Sequence, residues 1–222
     1  MTLKPAKVVF DLDGTLSNPI DGISRSLNHS LQIHGFEAVP EARVAEFIGP
    51  PLDQTFQILT GTSDVETTMT LVRTYRERYS TIGYSENTLY PGVPEALRVL
   101  RNTGTVMGVC TSKRTDFATR ILEMFSIRQF FQFVDGGDIG IEKREQLKRL
   151  RAGGLVDEGS VMIGDRAVDL RAAHSNGLSA GGVLWGFGSR TELKAQDPMF
   201  LFTSPDEWAV LASRDGGSQP KG

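Results

Sequence analysis

The sequence predicts an α/β fold: a doubly wound parallel sheet into which an all-helical domain is inserted. Two observations lead to this prediction. Short runs rich in Val, Ile and Phe alternate with stretches of helical periodicity, and such runs suit strands that are buried on both faces of a parallel sheet. The interval between Asn18 and Tyr90 holds only helical patterns, and about seventy residues is too long for an ordinary connection.

The strands of the predicted sheet are six apolar runs: Lys7–Leu12, Val106–Cys110, Phe131–Val134, Val161–Ile163, Ala180–Leu184 and Phe200–Phe202. Between several of them apolar residues recur at helical spacing, as Val93, Leu97 and Leu100 do. The glycine pairs Gly136-Gly137 and Gly153-Gly154 are predicted to lie in loops. Ligands of open parallel sheets bind beyond the carboxyl ends of the strands, so we expect the functional residues to follow these runs.

The inserted helical domain is predicted to span residues 18–88, and the α/β domain residues 1–17 and 89–222. Proline and glycine residues near both junctions, among them Pro19 and Pro91, favour turns there. The last residues, 214–222, are expected to form a frayed tail.

The composition excludes several classes of function and binding partner. Lys and Arg number 24 against 27 Asp and Glu, a net charge of −3, which argues against binding of a nucleic-acid polymer or a membrane surface but permits a small phosphorylated ligand. The single cysteine, Cys110, excludes an internal disulfide framework. The start has no apolar signal core, and no run approaches the ~20 apolar residues of a membrane span, so we expect a cytoplasmic protein. We expect it to be a monomer or a homodimer.

The densest chemical signal is the segment DLDGT, in which Asp11 and Asp13 end the first apolar run. Side chains at positions i and i+2 of an extended chain point to the same side, so both carboxylates face one pocket if the strand continues through them. Carboxylates this close need a bound cation, a shared proton or a nearby lysine. The alternative is a turn or helix cap that contains two Asp residues.

A second acidic segment, GDRAVDL, follows the run at Val161–Ile163. Asp165 and Asp169 lie near one face if residues 166–176 are helical, although acids there also act as helix caps or interact favourably with the helix dipole. Together with Asp11 and Asp13 they place four oxygen donors at two strand ends. Such a set suits Mg²⁺, which favours carboxylates and phosphate oxygens.

Three further sequence features are, each by itself, weak indications of a functional site. Thr111 follows a strand end and, taken alone, fits a helix cap better than a ligand-binding group. Lys143 opens a charged helix, predicted for residues 142–151, in which most lysines are solvated. The segment Gly186-Phe187-Gly188 begins like a dinucleotide-binding fingerprint but lacks the third glycine, and it is set aside.

Taken in order, the DxDGT segment, Thr111, Lys143 and the GDxxxD segment resemble the haloacid dehalogenase-like (HAD) phosphatases, from Lys7 to about Ala212. The resemblance implies a Rossmann-like core and a helical cap of the first type (C1) that selects the substrate. The Gly49-Pro50-Pro51 loop is expected either to reach the leaving group or to end the preceding helix. Phe47 and Phe56 are expected to pack within the cap rather than to stack on a base.

The resemblance also implies the roles of the residues. Asp11 is the nucleophile that forms an aspartyl-phosphate, and Asp13 is the general acid and base. Mg²⁺ is held by Asp11, the Asp13 carbonyl and Asp165, with Asp169 orienting that shell. The implied phosphate-binding residues are Asp11, Leu12, Asp13, Thr111, Ser112 and Lys143.

Within the family, the segments FIGPPL, MIGDR and GVLWGFGS resemble a small bacterial 5′-nucleotidase branch more than the sugar-phosphate mutases. The implied activity is Mg²⁺-dependent hydrolysis of nucleoside 5′-monophosphates, with 2-phosphoglycolate as the alternative substrate and a sugar-phosphate phosphatase or mutase behind it. A non-enzymatic phosphate-binding regulator is disfavoured because the full set of site residues is present. Asn18-Pro19 departs from the Asp-Ser of many relatives, which we expect to affect the cap hinge.

Overall fold

The computed structural model describes residues 7–48, 52–137 and 141–212, and the chain divides into two compact units. The α/β unit combines the segment that ends at Leu16 with the segment that begins at Leu89, and the helical unit is Ser17–Thr88. The Gly49-Pro50-Pro51 loop and the tail at 214–222 lie outside the described residues.

The α/β unit contains one parallel sheet of six strands in the order β5-β4-β1-β6-β7-β8. The strands are β1 (Lys7–Phe10), β4 (Val106–Arg114), β5 (Phe133–Gly137), β6 (Ser160–Gly164), β7 (Ser179–Val183) and β8 (Phe200–Phe202). The helices are α5 (Val93–Asn102), α6 (Thr115–Met124), α7 (Lys143–Ala152), α8 (Ala167–Ser175) and α9 (Arg190–Lys194), with 3₁₀ turns at Arg128–Phe130 and Pro205–Leu211. The α/β fold with a parallel sheet is thus confirmed.

Both faces of the sheet are covered, as a doubly wound fold requires. Val9 and Phe10 in β1 are fully buried and point to opposite faces. Val9 belongs to a core cluster with Leu147 of α7 and Leu170 of α8. On the other face, the Phe10 ring lies 4.7 Å from that of Trp208.

Several predicted strand limits are wrong. β1, predicted to reach Leu12, ends at Phe10, and two further differences concern β4 and β5. β4 does not end at Cys110 but continues to Arg114, and Gly136-Gly137 lie in β5 rather than in a loop. The reason lies in packing: a Cβ at Gly136 would overlap the backbone of Thr115, where α6 begins, so glycine allows this close approach. Gly153-Gly154 form the turn that was predicted.

The helical unit has its own core. Its helices are α1 (Ile20–Ile33), α2 (Glu41–Val44), α3 (Leu52–Thr60) and α4 (Val65–Thr81), with 3₁₀ turns at Ala45–Phe47 and Gly83–Glu86. Two-residue strands, β2 (Ser17–Asn18) and β3 (Thr88–Leu89), pair at its ends. Phe47 and Phe56 are buried with Leu27, Leu31 and Leu71, so packing is their use. Among the described residues, no helix is long and apolar enough to cross a membrane.

Candidate active site

The acidic segments meet because their strands are neighbours. β1 lies between β4 and β6, and all three run in the same direction, so their carboxyl ends form one edge. Asp11 follows β1 directly, and its amide still donates to the Ile163 carbonyl of β6 at 2.9 Å. Asp165 follows β6 directly. This parallel topology brings together residues that are more than 150 positions apart.

A buried lysine is paired with two carboxylates at this edge. Lys143 Nζ lies 2.8 Å from Asp11 Oδ2 and also contacts Asp169 Oδ1, and its side chain is 2% exposed. Burial by itself would lower the pKa of Lys143, but the charges of Asp11 and Asp169 outweigh burial and raise it. Lys143 is therefore a fixed cation. We call Lys143, Asp11 and Asp169 the inner cluster.

Asp165 completes a set that fits a divalent cation. Carboxylate oxygens of Asp11, Asp165 and Asp169 all lie within 4.8 Å of one another. Asp165 Oδ2 accepts a hydrogen bond from the Phe187 amide at 2.8 Å, while Oδ1 is buried and has no partner among the described residues. Burial, then Asp169 and Asp11, raise the pKa of Asp165 well above its ordinary value. A cation beside Oδ1 would offset this cost, so the donors fit Mg²⁺.

Asp169 is placed differently from the other two acids. It is fully buried, and both of its oxygens are engaged: Oδ1 contacts Lys143, and Oδ2 accepts from the Arg166 amide at 3.0 Å. The Arg166 bond holds Asp169 in the first turn of α8. This arrangement suits a residue that orients Lys143 better than one that is free to bind a ligand.

Asp13 has a lysine partner that the sequence analysis did not assign. β1 ends at Phe10, so the extended strand does not continue through Asp13; the chain turns at Gly14, whose φ is +81°. Lys113 Nζ lies 2.8 Å from Asp13 Oδ2, and the two side chains are 9% and 19% exposed. We call them the outer pair. Burial raises the pKa of Asp13, although Lys113 opposes the shift.

A sequence signal for Lys113 existed. It stands two residues after Thr111, and positions i and i+2 of a regular extended chain point to the same side. In the structure the pairing of β4 with β5 shifts register between Thr111 and Arg114. The prediction that β4 ends at Cys110 hid this relation.

The remaining candidates are placed as follows. Thr111 is buried, and its backbone carbonyl accepts a hydrogen bond from the side-chain amide Nε2 of Gln146 in α7 at 3.0 Å. The Leu12 amide donates to Asp11 Oδ1 at 2.8 Å. Ser112 is exposed on β4. Thr111 lies in β4, next to the strand that Asp11 follows. For Leu12, Thr111 and Ser112 phosphate binding stays a prediction.

The fold and these acids agree with a known enzyme class. Residues 8–183 match the family model described as haloacid dehalogenase-like hydrolase. The chain belongs to this family and is a hydrolase.

Relatives within this family carry more specific names. A 5′-nucleotidase of Pseudomonas aeruginosa is 38% identical over 88% of this chain and 90% of its own length. A phosphoglycolate phosphatase of Vibrio parahaemolyticus is 29% identical over 93% of this chain and 96% of its own length. A tyrosine-protein kinase, PtkA, of Mycobacterium tuberculosis is 35% identical over 83% of this chain, which spans 64% of that protein. The crystal structure of a predicted phosphatase from Clostridium acetobutylicum superposes on this chain with a TM-score of 0.83 and 32% sequence identity. The superposition covers 92% of this chain and 96% of the other.

Proposed function

We propose that this protein is a Mg²⁺-dependent phosphomonoesterase that acts through an aspartyl-phosphate on Asp11, with nucleoside 5′-monophosphates as the preferred substrates. The observation that carries the proposal is the inner cluster, in which a buried lysine holds Asp11 at the carboxyl edge of the sheet, within reach of Asp165. The helical unit is proposed to select the substrate, since the acids and lysines of the site recognise only the phosphate.

In the first step, an Asp11 carboxylate oxygen attacks phosphorus, and the bond from phosphorus to the ester oxygen breaks. The carboxylic acid of Asp13 gives its proton to the departing alkoxide. A raised pKa suits this role because it keeps a larger protonated fraction of Asp13 near neutral pH. Lys143, already 2.8 Å from Asp11, balances the charge of the carboxylate and of the incoming phosphate.

In the second step, the Asp13 carboxylate takes a proton from a water molecule that attacks the phosphorus of the aspartyl-phosphate. The bond from phosphorus to the Asp11 oxygen breaks, which restores the Asp11 carboxylate and releases inorganic phosphate. Asp11, the Asp13 carbonyl and Asp165 would hold Mg²⁺, which when bound shields the carboxylate from the phosphate and stabilises the charge of the transferred group.

The test combines single Asp→Asn variants with a substrate panel. We expect Asp11→Asn to lose at least about 10⁴-fold in kcat while it stays folded by circular dichroism. Asp157→Asn is the matched control, because Asp157 pairs with Lys7 and is half exposed. Phosphate release from Asp11→Asn at more than a few per cent of the original rate would remove Asp11 from the nucleophile role.

Substrate preference is measured as kcat/KM for nucleoside 5′-monophosphates, 2-phosphoglycolate and sugar phosphates, each with Mg²⁺ and with EDTA. The higher identity to the 5′-nucleotidase than to the phosphoglycolate phosphatase supports nucleotides as the best class. Equal kcat/KM across the panel would contradict the nucleotide preference while leaving phosphatase chemistry intact.

The relatives named tyrosine-protein kinase call for one more arm. The protein is incubated with radiolabelled ATP and a tyrosine-containing polymer. We expect no label on tyrosine, since the proposed role of Asp13 is to activate a water molecule rather than a tyrosine hydroxyl. Stable label on tyrosine, dependent on Asp11, would instead indicate a phosphotransferase.

A further inference from the structure

The glycine-rich segment after β7 lies against the acids of the site. Its Gly-Phe-Gly core is not a dinucleotide-binding fingerprint, because the third glycine is missing. In the structure, residues 185–189, which we call the Trp185 loop, follow β7 at the same sheet edge that carries Asp11 and Asp165. The loop contacts both acidic segments.

Two hydrogen bonds tie the loop to those segments. The Phe187 amide donates to Asp165 Oδ2 at 2.8 Å. The Trp185 indole Nε1 donates to the Thr15 carbonyl at 3.0 Å, in the turn that follows Asp13. One short loop therefore connects the end of β6 with the turn after β1, and each bond replaces water at a partly or fully buried acceptor.

The glycines allow the loop to come this close. A Cβ at Gly186 would overlap both the Gly14 carbonyl oxygen and the Asp165 side chain. A Cβ at Gly188 would overlap the Asp165 backbone carbonyl. Gly14, Gly186 and Asp165 are thus in direct contact, which leaves the Asp165 side chain little room to rotate.

Aromatic packing anchors the loop to the core. The Trp185 ring lies 5.7 Å from that of Trp208, and the Trp208 ring lies 4.7 Å from that of Phe10 in β1, tilted by 52°. Tyr90 approaches Trp185 edge-on at 6.5 Å. Ring pairs at these separations are attractive beyond the area they bury, so the position of Trp185 is fixed to the strand that carries Asp11.

We propose that the Trp185 loop is a positioning element, which engages Asp165 Oδ2 and so keeps the partnerless Oδ1 available as a ligand of the divalent ion. The inference rests on the Mg²⁺ site of the proposed function. Residues that orient a metal ligand from behind commonly change metal affinity when they are mutated. Trp185 and Gly186 are assigned this positioning role and no contact with the substrate.

The test compares Trp185→Phe with Trp208→Phe. Both changes remove the same atoms from neighbouring rings, but Trp208 Nε1 has no hydrogen-bond partner among the described residues. Only Trp185→Phe loses a bond to the site. We expect its dissociation constant for Mg²⁺, measured by titration calorimetry on ion-free protein, to rise about fivefold, and that of Trp208→Phe to stay within about twofold. Excess Mg²⁺ is expected to restore kcat in Trp185→Phe.

A fluorescence readout follows from the same pair. The chain has two tryptophans, so in Trp208→Phe all tryptophan emission comes from Trp185. We expect this emission to change on addition of Mg²⁺, with the midpoint that calorimetry gives. A second variant, Gly186→Ala, is expected to lose Mg²⁺ binding because its Cβ overlaps Asp165 and Gly14.

The outcomes separate the two proposals. If the original protein binds no Mg²⁺, the metal site of the proposed function is wrong, and the role of the loop is wrong with it. If the original protein binds Mg²⁺ and Trp185→Phe binds it equally well, the site stands and the loop inference is overturned. The two Trp→Phe variants decide this even if Gly186→Ala fails to fold.

Discussion

The inner cluster and the outer pair each join a lysine to one aspartate of the DxD segment, but they differ in burial and in charge. Lys143 is 2% exposed and contacts two carboxylates, Asp11 and Asp169. Lys113 is 9% exposed and pairs with Asp13, which is 19% exposed. One lysine is thus enclosed with two carboxylates, and the other is less buried and forms an ion pair with one aspartate of the segment.

This difference in burial and charge suits the two chemical roles that are proposed for the DxD segment. The carboxylates raise the pKa of Lys143 against the effect of its burial, so Lys143 keeps its charge and fixes the proposed nucleophile. At Asp13 burial prevails over Lys113 and raises the pKa, so Asp13 can hold or release a proton. A fixed charge beside Asp11 and a mobile proton on Asp13 are what two-step hydrolysis requires.

The largest expected effect is on turnover. Lys143→Met is expected to lower kcat about 10³-fold, because it removes the fixed cation beside the attacked phosphate. Lys113→Met is expected to lower kcat only about tenfold, because Asp13 keeps its carboxyl group. Steady-state phosphate release at saturating Mg²⁺ measures both. Equal losses in the two variants would mean that the lysines do not differ in role.

The second effect is on stability. Lys143→Met leaves Asp11 and Asp169 buried without their cation, which is expected to cost about 3–5 kcal/mol in the free energy of unfolding. Lys113→Met is expected to cost less, because Asp13 is 19% exposed and, with its raised pKa, takes up a proton more readily. Urea denaturation of the ion-free proteins at neutral pH gives both values. A smaller loss for Lys143→Met than for Lys113→Met contradicts the comparison.

The inner cluster could be predicted from the sequence largely because it depends on strand order. Acids at the ends of buried strands must find partners, and parallel strands gather their carboxyl ends at one edge, so Asp11 and Asp165 follow from the pattern alone. Lys143 was found by its place in the family order, since nothing in a charged helix marks its first lysine as buried.

The outer pair and the Trp185 loop were missed for physical reasons. Lys113 depends on where β4 ends, and strand ends are set by pairing with β5 rather than by local composition. The Trp185 loop acts through backbone amides and close glycine contacts, which the sequence shows only as a Gly-Phe-Gly pattern.

The third effect is a gain in stability at the expense of activity. Asp165→Asn removes a buried charge whose pKa is raised by burial and by Asp169 and Asp11. We expect the ion-free variant at neutral pH to gain about 1 kcal/mol, or about 2–4 °C in Tm, while phosphate release falls sharply. Asp157→Asn is the control, and it is expected to lower the stability, since Lys7 and Ser160 stabilise the Asp157 carboxylate and lower its pKa. A lower Tm for Asp165→Asn would contradict the cost assigned to this charge.

The smallest effect is the pH dependence of stabilisation by Mg²⁺. The pKa of Asp165 in the folded protein is raised above its ordinary value of 3.8, so between these two values the folded protein binds more protons than the unfolded chain. The stability of the ion-free protein therefore falls as pH rises through this window. Mg²⁺ binds the deprotonated carboxylate, so the stabilisation that it provides should grow over the same window.

This dependence is measured as the difference in Tm with and without excess Mg²⁺, from about pH 5 to about pH 8. We expect the rise in Tm to be about 2–4 °C larger at the upper end. Asp165→Asn should show no such trend, because it has no carboxyl proton to release at this position. If the rise in Tm were the same at both ends of the pH range, Mg²⁺ would not compete with a proton on Asp165. Asp13 would then be the one carboxyl of the proposed site to which a titrating role is assigned, beside the fixed charge of Lys143.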